Sequence, residues 1–176
     1  MPDELELERT YLAKRLPEDL ERYESKEIVD IYIPESAQHP QLRIRKNGDR
    51  FVITKKKPEK EGDSSRLVEQ TIQLTREEFD ELSVLEGKRL RKIRYSYDYN
   101  GRTAEIDIFK DALEGLVLVD FEFDDPKEKD SFAMPDFCLA DVTQKGFAAG
   151  GLLCGKRYSD IEENLKTLGY SKIVRI

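Results

Sequence analysis

Apolar and polar residues alternate with a period of two along most of the chain, which is typical of β-strands that bury one face. The segments that follow this pattern are ELELERTYL, IVDIYI, QLRIRK, DRFVITKK, RLVEQTIQL, RKIRYSYDY, RTAEIDIF and GLVLVDFEF. Turn residues separate several of them, and Asn100-Gly101 is a strong hairpin signal. The pattern therefore predicts eight strands with short connections between them.

Helical signals are fewer. The spacing of a capping box predicts one helix that begins at Thr75 and ends at Gly87, and a second that begins at Ser159 and ends at Gly169. Shorter helices are predicted over residues 17–23 and 126–131. Many antiparallel strands with few helices predict an α+β fold or a closed eight-stranded antiparallel β-barrel with helices packed outside. We expect the C-terminal helix to cover the apolar exterior of this barrel.

The polar faces of these strands each carry charges of one sign. Glu6 and Glu8 share one face, Asp120 and Glu122 share another, and basic faces recur in QLRIRK and RKIRY. Ordinary half-exposed strands, which are the alternative interpretation, would mix the signs. Two like charges about 6–7 Å apart on a strand repel by about 2–3 kcal/mol when they are partly buried. The pattern therefore predicts a bound ligand that neutralises both the acidic and the basic faces, as a divalent metal ion bound to a phosphate chain does.

Composition narrows the function further. The chain has 176 residues and a formal net charge of −7, which argues against general binding of double-stranded nucleic acid. His39 is the only histidine, so any metal must be held by oxygen ligands, which favours Mg²⁺, Mn²⁺ or Ca²⁺. We expect His39 to lie at the surface and the two cysteines, Cys138 and Cys154, to be small buried hydrophobic residues.

The length suits one domain that spans residues 1–176, since the sequence has no internal repeat and no long linker. No apolar run approaches the length that spans a membrane, and the N-terminus is interpreted as a charged strand without a signal peptide. Isolated cysteines favour a reduced, cytoplasmic setting. The sequence leaves the oligomeric state open between a monomer and a homodimer.

The order of these motifs resembles the CYTH superfamily, also called triphosphate tunnel metalloenzymes, from about residue 4 to about residue 155. Class IV adenylate cyclases, thiamine triphosphatases and tripolyphosphatases belong to it. The similar motifs, in chain order, are Glu6-Leu7-Glu8-Arg9-Thr10 in the place of ExExK, Arg43 and Arg45 in LRIRK, Thr54 and Lys56 in ITKK, Glu69 in VEQT, Lys92 and Arg94 in RKIRY, Glu105 and Asp107 in EIDIF, and LVLVDFEF. The resemblance implies a barrel of eight strands whose hydrophilic interior binds triphosphate compounds.

The resemblance also implies a role for each matching residue. The ligands of Mg²⁺ or Mn²⁺ would be Glu6, Glu8, Asp120 and Glu122, with Glu69 and Asp107 as helpers. The triphosphate would be held by Arg43, Arg45, Lys56 and Arg94. Lys92 takes the place of a lysine that activates the attacking water in some tripolyphosphatases, and Tyr32 that of its tyrosine partner.

Several residues depart from the family pattern. Thr10 replaces the lysine of ExExK, and Thr71 replaces the second glutamate of an ExE strand. In the C-terminal motif, Phe147 replaces a tyrosine and Ala149 an asparagine, and an aspartate is missing. The first hypothesis is a metal-dependent triphosphatase acting on inorganic, thiamine or nucleoside triphosphate, with class IV adenylate cyclase-like activity as a variant. A catalytically weak or inactive polyphosphate- or nucleotide-binding module, and a purely structural barrel, are the alternatives.

Overall fold

The computed structural model describes residues 4–174 of the chain, and its main feature is a closed antiparallel β-barrel. The barrel strands are β1 (Glu4–Ala13), β2 (Ser25–Ile33), β3 (Leu42–Asn47), β4 (Arg50–Pro58), β5 (Arg66–Leu74), β6 (Lys88–Tyr99), β7 (Arg102–Phe109) and β8 (Val117–Phe123). They pair in the order β5-β4-β3-β2-β6-β7-β8-β1, and pairing of β1 with β5 closes the ring. The predicted eight-stranded barrel and α+β class are confirmed.

A ninth strand, β9 (Cys138–Asp141), was not predicted. β1 pairs with β5 only as far as Leu7, and its second half reaches past the end of β5. β9 pairs with that free edge over Tyr11–Ala13, so it extends the sheet without entering the closed ring.

The helices are α1 (Arg76–Ser83), α2 (Pro126–Ser131), α3 (Gly150–Leu153) and α4 (Tyr158–Thr167). The capping box at Thr75 is confirmed, because its side chain accepts from the Glu78 amide while Glu78 accepts from the Thr75 amide. The predicted cap at Ser159 is wrong, since α4 begins one residue earlier. Residues 17–23 form only a 3₁₀ turn at Leu20–Arg22. Within residues 4–174, the helices are too short or too polar to cross a membrane.

Apolar residues that point away from the barrel axis form two outer clusters. One covers β1, β6, β7 and β8, where Phe121 contacts Tyr11, Tyr99 and Phe132 at ring separations of 4.7–6.1 Å. The other lies under α1, where Phe51 and Phe79 pack at 5.1 Å. The tyrosine row of β6 therefore serves outer packing, as expected.

The C-terminal helices pack across one end of the barrel instead of along its outside, so the expectation of an exterior position is wrong. The inward-facing rows of five strands turn apolar at that end, and Leu153, Ile161 and Leu165 of α3 and α4 join the same core cluster. The strand residues that form this apolar end are Leu12, Tyr32, Leu90, Phe109 and Leu118. Each of these residues is the inward-facing residue next to the charged row of its strand. We call the cluster that they form with α3 and α4 the end plug. The end plug borders the charged interior directly.

Candidate active site

The interior of the barrel holds a cavity of about 280 Å³ that is lined by fourteen charged residues among others. All twelve site residues predicted from the sequence line it. They are Glu6, Glu8, Tyr32, Arg43, Arg45, Lys56, Glu69, Lys92, Arg94, Asp107, Asp120 and Glu122. Because alternate residues of a strand face the same side, the single-sign faces of the sequence converge on one space.

Carboxylates crowd one wall of the cavity, where β1 and β8 pair. Glu8 lies directly opposite Glu122, and Thr10 lies opposite Asp120. Burial, together with the nearby charges of Asp107 and Glu8, raises the pKa of Asp120 to about 7. Burial also raises the pKa of Glu122, and neighbouring carboxylates add to that effect. Like charges that face each other across strands are destabilising, so this wall favours a bound cation.

Lys56 on β4 reaches across the cavity toward the carboxylates. Its Nζ lies 2.5 Å from Glu6, 3.3 Å from Glu8 and 4.0 Å from Glu69. Burial alone would lower the pKa of Lys56, but the charges of Glu8 and Glu6 outweigh it and raise that pKa. Lys56 therefore stays protonated and holds the two glutamates of the opening motif together.

A second ion-pair network surrounds Asp107 on β7, which is almost completely buried. Arg94 donates to both of its carboxylate oxygens at 2.7 Å, and Lys92 donates to one of them. Arg94 also donates to Glu105. Although burial opposes ionisation, Arg94 and Lys92 lower the pKa of Asp107 to about 2. Asp107 is therefore an anion that orients the two basic residues of β6.

Lys92 carries the features of an activated amine. It is 7% exposed, and burial, together with the positive charges of Arg94 and Arg45, lowers its pKa despite the contact with Asp107. A lysine can act as a base only where burial and neighbouring cations weaken its hold on the proton. The environment of Lys92 supplies both.

Asp30 on β2 is a cavity residue that was missed at the sequence level. It is fully buried and accepts two hydrogen bonds from Arg45, at 2.6 and 2.8 Å. The signal was present, since Asp30 shares a face with Tyr32 in IVDIYI, but a single carboxylate between apolar residues did not stand out. Glu105, which the sequence indicated only as part of an acidic face, also lines the cavity.

Arg43 is bound more loosely than the other two arginines of the cavity. Its nearest carboxylate is Glu69 at 4.0 Å, and its Nε is buried without a hydrogen-bond partner among the described residues. The Tyr32 hydroxyl lies beside it, and burial raises the pKa of that phenol. Arg43 therefore has donors left for a bound anion.

The structure does not place Tyr32 next to Lys92. In the pairing of β2 with β6, Tyr32 lies opposite Lys88, four residues from Lys92, which is about 13 Å along a strand. Its hydroxyl contacts the end plug at Gly150, where a Cβ atom would lie only 2.4 Å away. The fixed surroundings of Tyr32 are therefore Arg43 and the end plug.

The donor set suits a hard divalent ion, because every candidate ligand is a carboxylate, and burial together with neighbouring carboxylates raises the pKa of Asp120 and of Glu122. Among residues 4–174, no three acidic, histidine or cysteine side chains converge as a ready metal site. Glu6 and Glu8 are turned toward Lys56 instead. The chemistry of the wall fits Mg²⁺ or Mn²⁺, and coordination would require these two glutamates to leave Lys56.

The positions that depart from the family pattern take up structural contacts. The Thr10 hydroxyl donates to Asp120 at 2.7 Å, and the Thr71 hydroxyl donates to Glu69 at 2.6 Å. Phe147 packs against the end plug, and Ala149 lines the cavity where α3 begins. His39 is exposed at the cavity rim and both cysteines are buried, as expected.

Comparison with known proteins agrees with this architecture. The chain is 30% identical over 141 residues to an inorganic triphosphatase of Nitrosomonas europaea, covering 79% of this chain and 89% of that protein. The crystal structure of an inorganic triphosphatase superposes with a TM-score of 0.62 at 25% identity, covering 85% of this chain and 93% of the other. A Bacillus halodurans protein shares the fold, with a TM-score of 0.55 at 19% identity over 100% of this chain and 96% of its own. The CYTH domain model matches residues 5–133, and the chain therefore belongs to the CYTH family.

Proposed function

We propose that this protein hydrolyses a triphosphate compound inside its barrel and requires Mg²⁺ or Mn²⁺ to do so. Inorganic triphosphate is the first substrate to test, because the relative that shares 30% identity is an inorganic triphosphatase. Thiamine triphosphate and nucleoside triphosphates are the other candidates. We take residues 1–176 as one domain, since the helices beyond the matched region pack into the end of the same barrel.

The observation that carries this proposal is the composition of the cavity wall. Six basic and eight acidic side chains line one cavity: Arg43, Arg45, Lys56, Lys57, Lys92 and Arg94, against Glu6, Glu8, Asp30, Glu69, Glu105, Asp107, Asp120 and Glu122. The acidic groups outnumber the basic ones, so a triphosphate alone would meet a net negative space. A polyanion therefore binds there only together with divalent cations, which supports a metal-dependent reaction.

The two sets of side chains have separate tasks in this proposal. Glu6, Glu8, Asp120 and Glu122 hold the metal, with Glu69 and Asp107 as helpers. Arg43, Arg45, Lys56 and Arg94 hold the phosphate chain. The bound metal supplies charge neutralisation on the phosphate oxygens and acidifies bound water.

Lys92 is the proposed base for the attacking water. Burial lowers the pKa of its amine, and Asp107 fixes its position through a direct hydrogen bond. A water proton moves to the Lys92 amine as the oxygen attacks a terminal phosphorus and the bridging P–O bond of that phosphorus breaks. The attacked group becomes orthophosphate, and the rest of the chain, pyrophosphate in the case of tripolyphosphate, is the leaving group. Tyr32 acts in the same hydrolysis in this proposal. Because its hydroxyl lies beside Arg43, it orients the guanidinium of that arginine toward the phosphate chain.

Phosphate release from tripolyphosphate with Mg²⁺ or Mn²⁺ tests the proposal. Lys92→Met keeps most of the buried stem and removes the amine, and we expect kcat to fall by about 10²–10⁴-fold while tripolyphosphate still binds. Lys110→Met, on the loop after β7, is the surface control. Tight binding without turnover under either metal would exclude the hydrolase.

A binding module without catalysis is the second candidate, because Thr10 occupies the place of a phosphate-binding lysine and is engaged with Asp120. It predicts a thermal shift with tripolyphosphate and metal but no phosphate release. Class IV cyclase-like activity would instead release pyrophosphate from ATP and leave a cyclic nucleotide. A purely structural barrel predicts no thermal shift.

A further inference from the structure

The arginines of the cavity are held in different ways, and the difference points to a residue that the family resemblance does not assign. Arg94 is fixed by Asp107 and Glu105, whereas the nearest carboxylate to Arg43 is 4.0 Å away and its close neighbour is the Tyr32 hydroxyl. Arg45 is fixed by Asp30 alone, through Nε at 2.6 Å and Nη2 at 2.8 Å. This contact is a bidentate fork, the geometry that orients a guanidinium most strictly.

Asp30 makes its side-chain hydrogen bonds with Arg45, while the charges of Arg43 and Lys92 also act on it. Asp30 lies directly opposite Arg45 in the pairing of β2 with β3, and its side chain is only 1% exposed, so water does not compete for its oxygens. The fork uses two of the five N–H groups of the arginine. The other three remain for an anion in the cavity that Arg45 lines.

We propose that Asp30 is a positioning residue for triphosphate binding, which acts by holding the guanidinium of Arg45 in one orientation toward the cavity. This inference rests on the proposed triphosphate function. Asp30 does not touch the phosphate chain, and its effect passes through Arg45. Because the fork is already formed in the free protein, Arg45 loses little conformational freedom when the anion binds.

The experiment measures the Kd of tripolyphosphate by calorimetry in the presence of Mn²⁺, which does not depend on turnover. Asp30→Asn keeps the size of the side chain and removes the charge, and Arg45→Lys keeps the charge pair and removes the fork. We expect either variant to raise Kd by about tenfold or more. Glu27→Gln is the matched control, since Glu27 lies on the outer face of the same strand and pairs with Arg91 at 3.2 Å, and we expect its Kd within about twofold of the wild type.

The double variant separates positioning from a general loss of stability. If Asp30 acts only through Arg45, Asp30→Asn adds nothing in the Arg45→Lys background, whereas a structural effect would add to it. Where Asp30→Asn does not fold, Asp30→Glu takes its place, because it keeps the buried charges paired and the longer side chain displaces the fork, and the same rise in Kd is expected. A Kd of the folded Asp30→Asn variant within about twofold of the wild type would overturn the inference.

The outcomes also separate this inference from the proposed function. A wild type that binds tripolyphosphate without hydrolysing it refutes the hydrolase, and the Kd comparison still decides the role of Asp30. A wild type that hydrolyses tripolyphosphate, with Asp30→Asn unchanged in Kd, refutes the role of Asp30 alone. A wild type that does not bind tripolyphosphate refutes both.

Discussion

The hydroxyl of Thr10 donates a 2.7 Å hydrogen bond to Oδ1 of Asp120, directly across the pairing of β1 with β8. This hydrogen bond gives the Asp120 carboxyl group a donor but no positive charge. The pKa of Asp120 is about 7, chiefly because its side chain is buried. We expect Thr10→Lys to add a cation to the cavity and lower that pKa. Tripolyphosphate with Mn²⁺ should then bind about threefold to tenfold more tightly, which calorimetry measures directly.

Thr10→Val is the matched control for that change, because it keeps the shape of the side chain and removes only the hydroxyl. We expect it to lower the free energy of unfolding by about 1 kcal/mol, through loss of the bond to Asp120, without tightening binding. Equal affinities of the lysine and valine variants would show that the cation has no effect at this position.

Arg43 and Arg94 should separate binding from stability. Arg43→Gln removes a cation whose nearest carboxylate is 4.0 Å away, so we expect less than about 1 kcal/mol of destabilisation and a rise in the Kd of tripolyphosphate of about tenfold or more. Arg94→Gln leaves Asp107 with Lys92 as its remaining cation and removes the partner of Glu105, and we expect it to cost about 3–5 kcal/mol of unfolding free energy. Denaturant unfolding and calorimetry measure the two effects. Equal destabilisation by the two variants would contradict this division.

The strands of the barrel, and the residues that share each strand face, could be predicted from the sequence because both follow from the alternation of apolar and polar residues. Alternate residues of a strand face the same side of the sheet. Glu6 and Glu8 therefore share one face of β1, and Asp120 and Glu122 share one face of β8. Once the strands close into a ring, single-sign rows can only meet inside it. Local pattern therefore predicted which charged residues share a face, whereas the choice of Tyr32 and Glu69 as site residues came from the family resemblance.

The end plug and β9 were not accessible in this way, because neither depends on local pattern. Leu12 and Leu118 continue charged rows, and only the closed barrel shows that they form an apolar end that the C-terminal helices can cover. β9 has four residues and forms because β1 leaves a free edge beyond β5. The separation of Tyr32 from Lys92 depends on strand register, which a resemblance between motifs does not fix.

Asp63, in the loop between β4 and β5, should give a pH-dependent contribution to stability. Hydrogen bonds from the Ser65 hydroxyl and amide, and from Gln144, lower its pKa to about 2. A lowered carboxyl pKa stabilises the fold above the unfolded value near 3.8, and this contribution is lost as the pH falls toward 2. Since Asp63 is largely exposed, we expect Asp63→Asn to cost only about 1 kcal/mol at neutral pH.

The check on this prediction is the difference in unfolding free energy between wild type and Asp63→Asn, measured from neutral pH downward. The difference should shrink as the pH falls from about 4 to about 2. Asp98→Asn, on another exposed turn where Asp98 accepts a hydrogen bond from the Gly101 amide, is the comparison variant. A difference that stays constant across the acid range would refute the assignment.

The seating of the end plug depends on Gly151, which approaches the connection between β2 and β3 too closely for any side chain. A Cβ atom at Gly151 would lie 2.5 Å from the His39 ring and 2.7 Å from the Pro40 carbonyl oxygen. Because the backbone oxygen cannot move aside as a flexible side chain would, we expect Gly151→Ala to cost about 1–3 kcal/mol of unfolding free energy. Gly146→Ala is the matched control in the same segment, where the nearest atom is a Leu152 methyl group at 3.5 Å, and it should be close to neutral. Thermal unfolding of the two variants measures the difference, and equal midpoints would show that α3 is not seated against residues 39 and 40.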